Sequence, residues 1–253
     1  MKKREELKVL LIQLRKDPET TIDELKQFAK HTGLEISQFD TLQVFEEDAY
    51  DTDKLEQYDA LFVGGSSDDA DALLIEDTPL FARLAKKVIR AAYERKMPVF
   101  ASCFGFQAAA VELGGKLIYD EDSEEFGTLP FSLTDSASDD LLFKDTQAPF
   151  FAVVGHKKFV TQLPEGAVNL VQTDLCPFHS FKFTDRPFYA FQFHPELTKQ
   201  QLLEWLTRYK ERYFTDKKGF FNEEAFLRAV TGHVEVPEAN ALLGKFVDRI
   251  LLA

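Results

Sequence analysis

The sequence predicts an α/β fold in which a doubly wound, mostly parallel sheet is flanked by helices. Near-continuous apolar runs, such as Leu7 to Leu14, are typical of strands that other elements cover on both faces. Amphipathic helical segments alternate with these runs, and that order is typical of βα units. Sheets of this kind bind ligands at the carboxyl ends of their strands. We therefore expect the functional site at that edge of the sheet.

The first helix and the second strand follow directly. A helix is predicted over Ile22 to Lys30, with Thr20 or Thr21 as its N-cap and Gly33 as its stop. Leu34 to Phe39 is predicted as the second strand. The acidic segment that follows carries no strong strand signal, so we expect a loop or a short helix there.

A third predicted strand ends in two glycines. The strand is Ala60 to Val63, and the absence of side chains at Gly64 and Gly65 lets backbone N–H groups approach a ligand closely. The acidic stretch Ser66 to Asp77 lacks the spacing of a calcium loop and is interpreted as a solvated loop. A helix predicted over Leu80 to Arg95 completes this unit.

Composition limits the classes of function. At 253 residues with 45% apolar content, the chain can bury the core of one large α/β domain. The 30 basic and 43 acidic residues give a net charge of −13, which argues against nucleic acid or an anionic membrane surface as the partner. Two cysteines form no disulfide framework, and the amino terminus lacks the apolar run of a signal peptide. We expect a cytoplasmic protein.

Candidate chemistry is concentrated at Cys103. This residue lies in a turn of small residues between an apolar strand, Pro98 to Ala101, and a helix, Phe106 to Leu113. A tight strand-to-helix turn exposes one side chain at the carboxyl edge of a sheet. The positive end of the helix dipole favours the thiolate form of a cysteine placed there. Because free cysteines are often buried as small apolar residues, Cys103 alone would be a weak candidate nucleophile.

A second segment strengthens the candidate. The apolar strand Phe188 to Phe193 leads into His194, Pro195 and Glu196. A neutral imidazole that takes a thiol proton and is oriented by a carboxylate is the arrangement of a catalytic triad. We therefore predict Cys103 as the nucleophile, His194 as the base and Glu196 as the orienting carboxylate.

These motifs resemble those of the class I glutamine amidotransferases, whose nucleophile turn is Cys-x-Gly-x-Gln and whose base motif is His-Pro-Glu. The matching residues are Cys103-Phe104-Gly105-Phe106-Gln107 and His194-Pro195-Glu196. Tyr58 to Asp68 is also similar to the strand and Gly-Gly turn that supply the family's oxyanion hole. The resemblance covers about Leu7 to Leu197. It implies a flavodoxin-like fold and a stand-alone domain similar to the glutaminase of GMP synthase.

The resemblance also implies roles for residues outside the triad. Backbone N–H groups near Gly65 and Phe104 would hold the oxyanion. Four residues would contact the substrate: Gly64, Ser66, Gln107 and His156.

The sequence departs from the family's pattern near three of these motifs. Ala101 stands where Gly is common two residues before the nucleophile, a small change that the turn should accommodate. Ser66 stands where Pro is common after the double glycine, which bears on the setting of the oxyanion loop. Lys157 and Lys158 follow His156 where Ser or Gly and Asp are frequent, which bears on substrate choice or partner docking.

The second half of the chain changes to short alternating runs, which predict antiparallel and returning strands. They are Lys116 to Tyr119, Leu129 to Leu133, Phe150 to Val154, Ala167 to Thr173, His179 to Phe183 and Phe188 to Phe193. Glu125 to Thr134 is similar to the family's Glu-x-Gly strand and is interpreted as architectural. Cys176 and His179 have the spacing of half a zinc site, but no second pair is evident, so we assign no metal. No cofactor is expected.

The carboxyl-terminal part extends beyond what the family's catalytic domain requires. A helix predicted over Thr198 to Tyr213 closes a catalytic domain at residues 1–213, and a helical extension follows at 214–253. The extension carries helical patterns over Glu223 to Thr231 and Pro237 to Leu252, whose apolar stripes need a surface to cover. These helices pack either on the catalytic domain or on another subunit, so an oligomer is one of the two outcomes.

Three functions remain open. The first is a glutamine amidotransferase or glutaminase that hydrolyses the γ-amide of glutamine through a Cys103 thioester. Because the sequence has no Gly-x-x-x-x-Gly-Lys motif for ATP, the ammonia would pass to a separate synthetase subunit, or to none. The second is a γ-glutamyl peptidase that cleaves γ-glutamyl amides or peptides. The third is a non-catalytic binding or regulatory module, which the intact triad argues against.

Overall fold

The computed structural model describes residues 2–66, 70–120, 124–215 and 219–253. Twelve strands lie within these ranges: β1 Val9–Leu14, β2 Phe39–Gln43, β3 Ala60–Ser66, β4 Val99–Ser102, β5 Lys116–Tyr119, β6 Glu125–Leu133, β7 Phe150–His156, β8 Lys158–Gln162, β9 Ala167–Val168, β10 Val171–Gln172, β11 Ser180–Phe183 and β12 Phe188–Phe191. Seven α-helices lie there too: α1 Pro18–Thr32, α2 Leu80–Glu94, α3 Phe104–Glu112, α4 Lys199–Arg208, α5 Lys210–Phe214, α6 Glu223–Ala229 and α7 Pro237–Phe246.

The central sheet has seven strands in the order β2-β1-β3-β4-β12-β11-β9. The first five of these strands are parallel, and β11 and β9 are antiparallel additions at one edge. A three-stranded sheet, β10-β6-β7, and the pair β5-β8 lie beside it. The predicted α/β fold with a mostly parallel sheet is therefore confirmed.

Helices cover both faces of the central sheet. On one face α1 and α7 bury Phe28 and Phe246 against Phe62 and Phe100 of the sheet. On the other face the apolar sides of α2 and α3 pack over alternate residues of the same strands. Because successive side chains of a strand point to opposite faces, strands covered on both sides read as continuous apolar runs. That is the pattern seen in the sequence of β1.

The carboxyl-terminal helices differ in how they pack. Helix α7 lies against α1 and β7. It buries Ala239, Leu242, Leu243 and Phe246 in the apolar core on the α1 face of the sheet. A π-helical turn, Val247–Leu251, continues the helix. Helix α6 has no buried residue. The structure thus shows α7 as one of the layers that cover the sheet.

Several predicted element boundaries are wrong. The N-cap of α1 is Asp17, whose carboxylate accepts from the Thr20 N–H, and not Thr20 or Thr21. The second strand lies at Phe39–Gln43, because residues 36–38 of the predicted strand form a 3₁₀ turn. Strand β8 was not expected at all. Gly33 does end α1, in the left-handed region with a φ of 68°.

Other predictions were close but not complete. The segment predicted over Ala167 to Thr173 forms two short strands, β9 and β10, and the helix predicted over Thr198 to Tyr213 divides into α4 and α5. The 3₁₀ turn Thr52–Gln57 agrees with the short helix considered for the acidic segment. In the predicted acidic loop Ser66 to Asp77, residues 67–69 lie outside the described residues. No described helix is both long and apolar enough to cross a membrane.

Candidate active site

The site is built around the turn between β4 and α3. Cys103 lies at this turn with a φ of 51°, which is unusual for a residue other than glycine and costs about 1 to 3 kcal/mol. Its N–H donates to the Phe191 carbonyl oxygen at 2.8 Å, and its own carbonyl accepts from the Gln107 N–H at 3.1 Å. These two bonds tie the turn to β12 and to the first turn of α3. The side chain of Cys103 is partly exposed and faces a cavity.

His194 follows β12 and lies beside Cys103. Its Nδ1 is 2.7 Å from Glu196 Oε1, so the carboxylate fixes the tautomer that leaves Nε2 towards the thiol. Burial lowers the pKa of His194, but the charges of Cys103 and Glu196 and hydrogen bonds to both outweigh burial and raise it to about 10. Burial raises the pKa of Glu196, but the charge of His194 outweighs it and the pKa lies below its usual value. The contacts of His194 with Cys103 and Glu196 therefore favour the protonated imidazole.

A buried ion pair supports the Gly-Gly turn behind this group. Arg15 Nε donates to Glu24 Oε1 at 2.9 Å, and both side chains are almost fully buried. A Cβ on Gly64 would lie 2.5 Å from Glu24 Oε1, and one on Gly65 would lie 2.8 Å from both Arg15 Nη2 and His194 Cε1. Glycine is required at both positions because the ion pair and the imidazole occupy the space of a side chain.

Gln107 holds the opposite wall of the site. Its Nε2 donates to the Lys158 carbonyl oxygen at 3.1 Å and to Gln192 Oε1 at 2.9 Å. The amide therefore fixes the backbone that follows His156. His156 itself points its imidazole inward, since only 2% of its side chain is exposed, and its Nε2 is 3.1 Å from Glu125 Oε2.

The cavity in front of Cys103 has a volume of about 660 Å³. Polar residues that line it include Ser66, Cys103, Gln107, Lys157, Lys158 and His194. Apolar side chains form much of the remaining wall: Phe104, Phe126, Leu197, Leu202, Trp205, Leu206 and Phe214. A concave, largely apolar pocket with a few convergent polar groups is typical of a small-molecule site.

Comparison with known proteins then decides the family. The family model of glutamine amidotransferase class-I matches residues 21–207, which include every residue named above for the candidate site except Arg15 and Phe214. The chain belongs to the class I glutamine amidotransferase family. The predicted resemblance is confirmed.

Curated relatives of this chain include GMP synthases named as glutamine-hydrolyzing. The chain is 32% identical over 106 residues to the one from Aliivibrio salmonicida, which covers 42% of this chain and 20% of that protein. It is 34% identical over 110 residues to the one from Shewanella piezotolerans, covering 40% of this chain and 20% of that protein. The match thus spans about a fifth of the length of these synthases.

Solved structures share the fold of this chain. A glutamine amidotransferase from Thermotoga maritima superposes with a TM-score of 0.72 at 18% identity, over 98% of this chain and 99% of that one. A protein from Thermoplasma acidophilum named as a putative GMP synthase subunit gives a TM-score of 0.60 at 21% identity, over 76% and 85% of the two chains. Because the first comparison covers 98% of this chain, nearly all of residues 214–253 have counterparts in that fold.

The structure brings most of the predicted site residues together. Cys103, His194 and Glu196 form one chain of contacts, and Ser66, Phe104 and Gln107 line the same cavity. Gly65 lies directly beside the thiol, since a Cβ there would be 3.5 Å from Cys103 Cβ. Two predicted residues lie differently. Gly64 lies against the Glu24 carboxylate and is not among the residues that line the cavity. The imidazole of His156 points towards Glu125.

Sequence reasoning did not predict the partners of three polar residues of this region, Arg15, Glu24 and His179. Arg15 follows β1 at the carboxyl edge of the sheet, where ligands bind in such folds, so its position was a usable signal. Glu24 lies on α1 and His179 precedes β11, and both are buried polar residues whose partners come from other elements. Nothing local in the sequence identifies such partners.

Proposed function

We propose that this chain hydrolyses the γ-carboxamide of glutamine through a γ-glutamyl thioester on Cys103 and releases ammonia for a separate acceptor or synthetase. The observation that carries the proposal is the arrangement of Cys103, His194 and Glu196. His194 contacts both other residues, and Cys103 and His194 line a cavity of about 660 Å³. A thiol beside an imidazole that a carboxylate orients is the arrangement for nucleophilic catalysis.

The acylation step uses the charges of the resting site. With His194 held as a cation, the thiolate of Cys103 is its natural counter-ion. The sulfur attacks the carboxamide carbon, a C–S bond forms and the carbonyl oxygen becomes an oxyanion. The imidazolium then gives its proton to the amide nitrogen, the C–N bond breaks and ammonia departs. A γ-glutamyl thioester and a neutral imidazole remain.

Deacylation reverses these roles. Neutral His194 takes a proton from a water molecule, whose oxygen attacks the thioester carbon, and the C–S bond breaks as glutamate forms. Glu196 keeps the imidazole in the tautomer with Nε2 towards the sulfur throughout. In both steps the N–H groups of Gly65 and Phe104 would hold the oxyanion, because both residues adjoin Cys103. Loss of one such donor costs about 3 kcal/mol in comparable sites.

The positioning roles follow from the same contacts. Gln107 would act by holding the backbone of Lys158, and Ser66 by lining the cavity beside the thiol. His156 would offer its backbone rather than its ring to a substrate, because its side chain is 2% exposed. Arg15 adds a fixed positive charge behind the Gly-Gly turn.

The relatives support glutamine as the substrate and a synthetase on another chain. The GMP synthases matched are named as glutamine-hydrolyzing, and one structural neighbour is named as a putative GMP synthase subunit. A synthetase on a second chain would also fit the absence of a Gly-x-x-x-x-Gly-Lys motif from this sequence.

A γ-glutamyl peptidase is the second candidate, and the size of the cavity favours it. A volume of about 660 Å³ is in the range that holds drug-sized ligands and is more than a single amino acid needs. Its wall continues past the triad to apolar residues of α4 and to Phe214. Lys157 and Lys158 line the same cavity and could pair with the carboxylate of a peptide leaving group.

The test is ammonia release from glutamine by the purified full-length chain. We expect turnover that Cys103→Ser and His194→Ala abolish, that Glu196→Gln lowers less, and that Cys176→Ser leaves unchanged. Glu196 only orients the imidazole, and orienting residues cost less than proton carriers in other triads. Turnover that survives Cys103→Ser would exclude the thioester route. Binding of glutamine without any turnover, alone or with a synthetase present, would favour the non-catalytic module.

A further inference from the structure

Three buried side chains form a cluster that the proposed reaction does not use. Glu125 Oε2 lies 3.1 Å from His156 Nε2 and 2.5 Å from His179 Nε2. No more than 2% of any of these three side chains is exposed. Each residue offers one ligand atom, and these atoms all lie within 4.8 Å of one another.

Two strands and the segment before β11 hold the cluster in place. Glu125 and His156 are directly opposite each other in the antiparallel pair β6-β7. The N–H of His179 donates to the Val171 carbonyl oxygen at 2.9 Å, which fixes the third member. Thr173 Oγ1 donates to Glu125 Oε1 at 2.6 Å, so the outer oxygen of the carboxylate is oriented and Oε2 faces both imidazoles. This is the kind of outer support that metal ligands have.

The ring nitrogens of the cluster are poorly satisfied as it stands. Neither ring nitrogen of His156 makes a well-oriented hydrogen bond to any described residue, although Nε2 is close to Glu125. Nδ1 of His179 likewise has no partner among the described residues. A buried polar atom without a partner costs about 1 to 3 kcal/mol. A cation placed between the three ligand atoms would use one of these unpartnered atoms, His156 Nε2, together with His179 Nε2.

We propose that Glu125, His156 and His179 bind a zinc ion. Two imidazole nitrogens and one carboxylate oxygen are ligands that zinc accepts, and three protein ligands leave a fourth position open. In a tetrahedral site with bonds of about 2.0 to 2.1 Å, the ligand atoms lie about 3.3 Å apart. The His156 to Glu125 distance already fits, and the His179 to Glu125 distance needs to widen by less than 1 Å.

The cavity in front of Cys103 supplies an entry path. Glu124 and Phe126, on either side of Glu125, line it, and so do Gly155 and His156. The cluster therefore lies directly behind this wall. Zinc bound there would join β6, β7 and the segment before β11, and so hold the wall against the rest of the domain.

The pair Cys176 and His179, which the sequence suggested as half of a zinc site, is divided by the structure. Cys176 Sγ lies 3.6 Å from the Phe178 carbonyl oxygen and is not one of the three clustered ligand atoms. The partners of His179 come instead from β6 and β7. A long-range pairing of this kind leaves no spacing signal in the sequence.

The test measures zinc content in the full-length chain with Cys103→Ser, which removes the other thiol and imidazole pair that could bind zinc. Protein is treated with a chelator, exposed to zinc chloride, desalted and analysed by elemental mass spectrometry. We expect about one zinc per chain, about one in a further His31→Gln variant, and almost none in His179→Gln or Glu125→Gln. His31 is a histidine of α1 whose Nε2 is also buried and has no hydrogen-bond partner in the part of the chain that the structure describes, so it is the matched control.

A second measurement does not depend on whether the His179 and Glu125 variants fold, because it uses only the Cys103→Ser chain. Cobalt added to the Cys103→Ser chain should give the intense visible absorption of four-coordinate Co²⁺, and zinc should displace it. Less than a tenth of an equivalent of zinc, or six-coordinate cobalt only, would overturn the proposal. So would equal zinc in His179→Gln and His31→Gln. Because metal content is the readout, these results do not depend on whether glutamine is hydrolysed.

Discussion

Asn240 on α7 holds the turn that carries His194 and Glu196. Its Nδ2 donates to the carbonyl oxygens of Pro195 at 2.8 Å and of Leu197 at 2.9 Å. These two residues flank Glu196, so a helix at the far end of the chain fixes the backbone on both sides of the orienting carboxylate. The carboxyl-terminal segment thus supports the proposed triad although it contributes no side chain to it.

Replacing Asn240 should therefore affect catalysis as well as stability. Asn240→Ala removes two hydrogen bonds, each with a net value of about 1 kcal/mol, and frees the turn. We expect a free energy of unfolding lower by about 1 to 2 kcal/mol and a kcat for glutamine lower by about tenfold. Urea unfolding and steady-state kinetics measure the two effects.

Lys245→Ala is the matched control for Asn240→Ala. Lys245 lies on the same helix but contacts Asp145 and Thr146, away from the triad. This variant should lose some stability and keep its kcat. An equal loss of kcat in the two variants would show that α7 acts only through general stability.

A glutamine-like diazoketone should alkylate Cys103 and leave Cys176 unmodified. Cys103 is partly exposed at the cavity, whereas Cys176 is fully buried and burial raises the pKa of its thiol to about 12. The thiolate is the reactive form, so Cys176 offers neither access nor charge. Peptide mass mapping locates the adduct. An adduct on Cys176, or one that persists in Cys103→Ala, would contradict the assignment of the nucleophile.

His194 should remain protonated well above its ordinary pKa. The charges of Cys103 and Glu196 raise its pKa to about 10, so its stabilising effect is complete below about pH 6.5 and is lost as the pH rises towards 10. In Cys103→Ala one of the two charges is gone, and the pKa of His194 should fall. Titration of the imidazole resonances by NMR in both proteins measures this. Titration of His194 near pH 6.5 in the unmodified chain would rule out the ion pair.

The Arg15–Glu24 pair should be worth far more than the ion pairs at the surface. Arg15→Gln leaves the buried Glu24 carboxyl without its charged partner, and such a loss typically costs about 3 to 5 kcal/mol. The exposed pair of Arg95 and Asp53 provides the comparison, for which about 0 to 1 kcal/mol is expected. Urea unfolding of Arg15→Gln, Arg15→Gln/Glu24→Gln and Arg95→Gln tests the difference. Recovery of stability in the double variant is expected.

Free glutamine should be a better substrate than γ-glutamyl dipeptides. The triad acts alike on both, and the difference lies in what leaves the γ-carbonyl. The measurement is kcat/KM for glutamine and for a γ-glutamyl dipeptide. Both values are measured in the unmodified chain, in Lys157→Ala and Lys158→Ala, and in a control variant of an exposed lysine, Lys116→Ala. Faster cleavage of dipeptides, reduced by the first two variants and unchanged in the third, would favour the peptidase instead.

The sequence was most informative where burial on both faces of the sheet requires a continuous apolar run, and where a tight turn requires small residues. β1, β3, β4 and α2 could be placed because their apolar patterns match the strand and helix periods. The turn at Cys103 and the end of β12 could be placed for the same reason. Parallel strands bring their carboxyl ends to one edge, so the neighbourhood of Cys103 and His194 also followed from the fold class.

What the sequence could not reveal depends on distant partners. The N-cap of α1 is an exception, because Asp17 followed by Pro18 at the first helical position was a local signal that the prediction overlooked. β8 was missed because Lys158, its first residue, is a charged residue that the fold buries. The clusters around Arg15 and Glu125 each join residues from separate elements. In the sequence, the residues of these clusters cannot be distinguished from ordinary polar surface residues.

The only tryptophan of the chain, Trp205, lines the cavity. Its ring lies 6.5 Å from that of His194 and 4.8 Å from the Arg15 guanidinium carbon, so two cations adjoin one indole. All tryptophan emission of the protein therefore originates at the site. Ligand entry, loss of the His194 proton and displacement of α4 each change the charge or the water around that ring. The natural fluorescence of the unlabelled chain thus reports on the state of the cavity, with no background from other indoles.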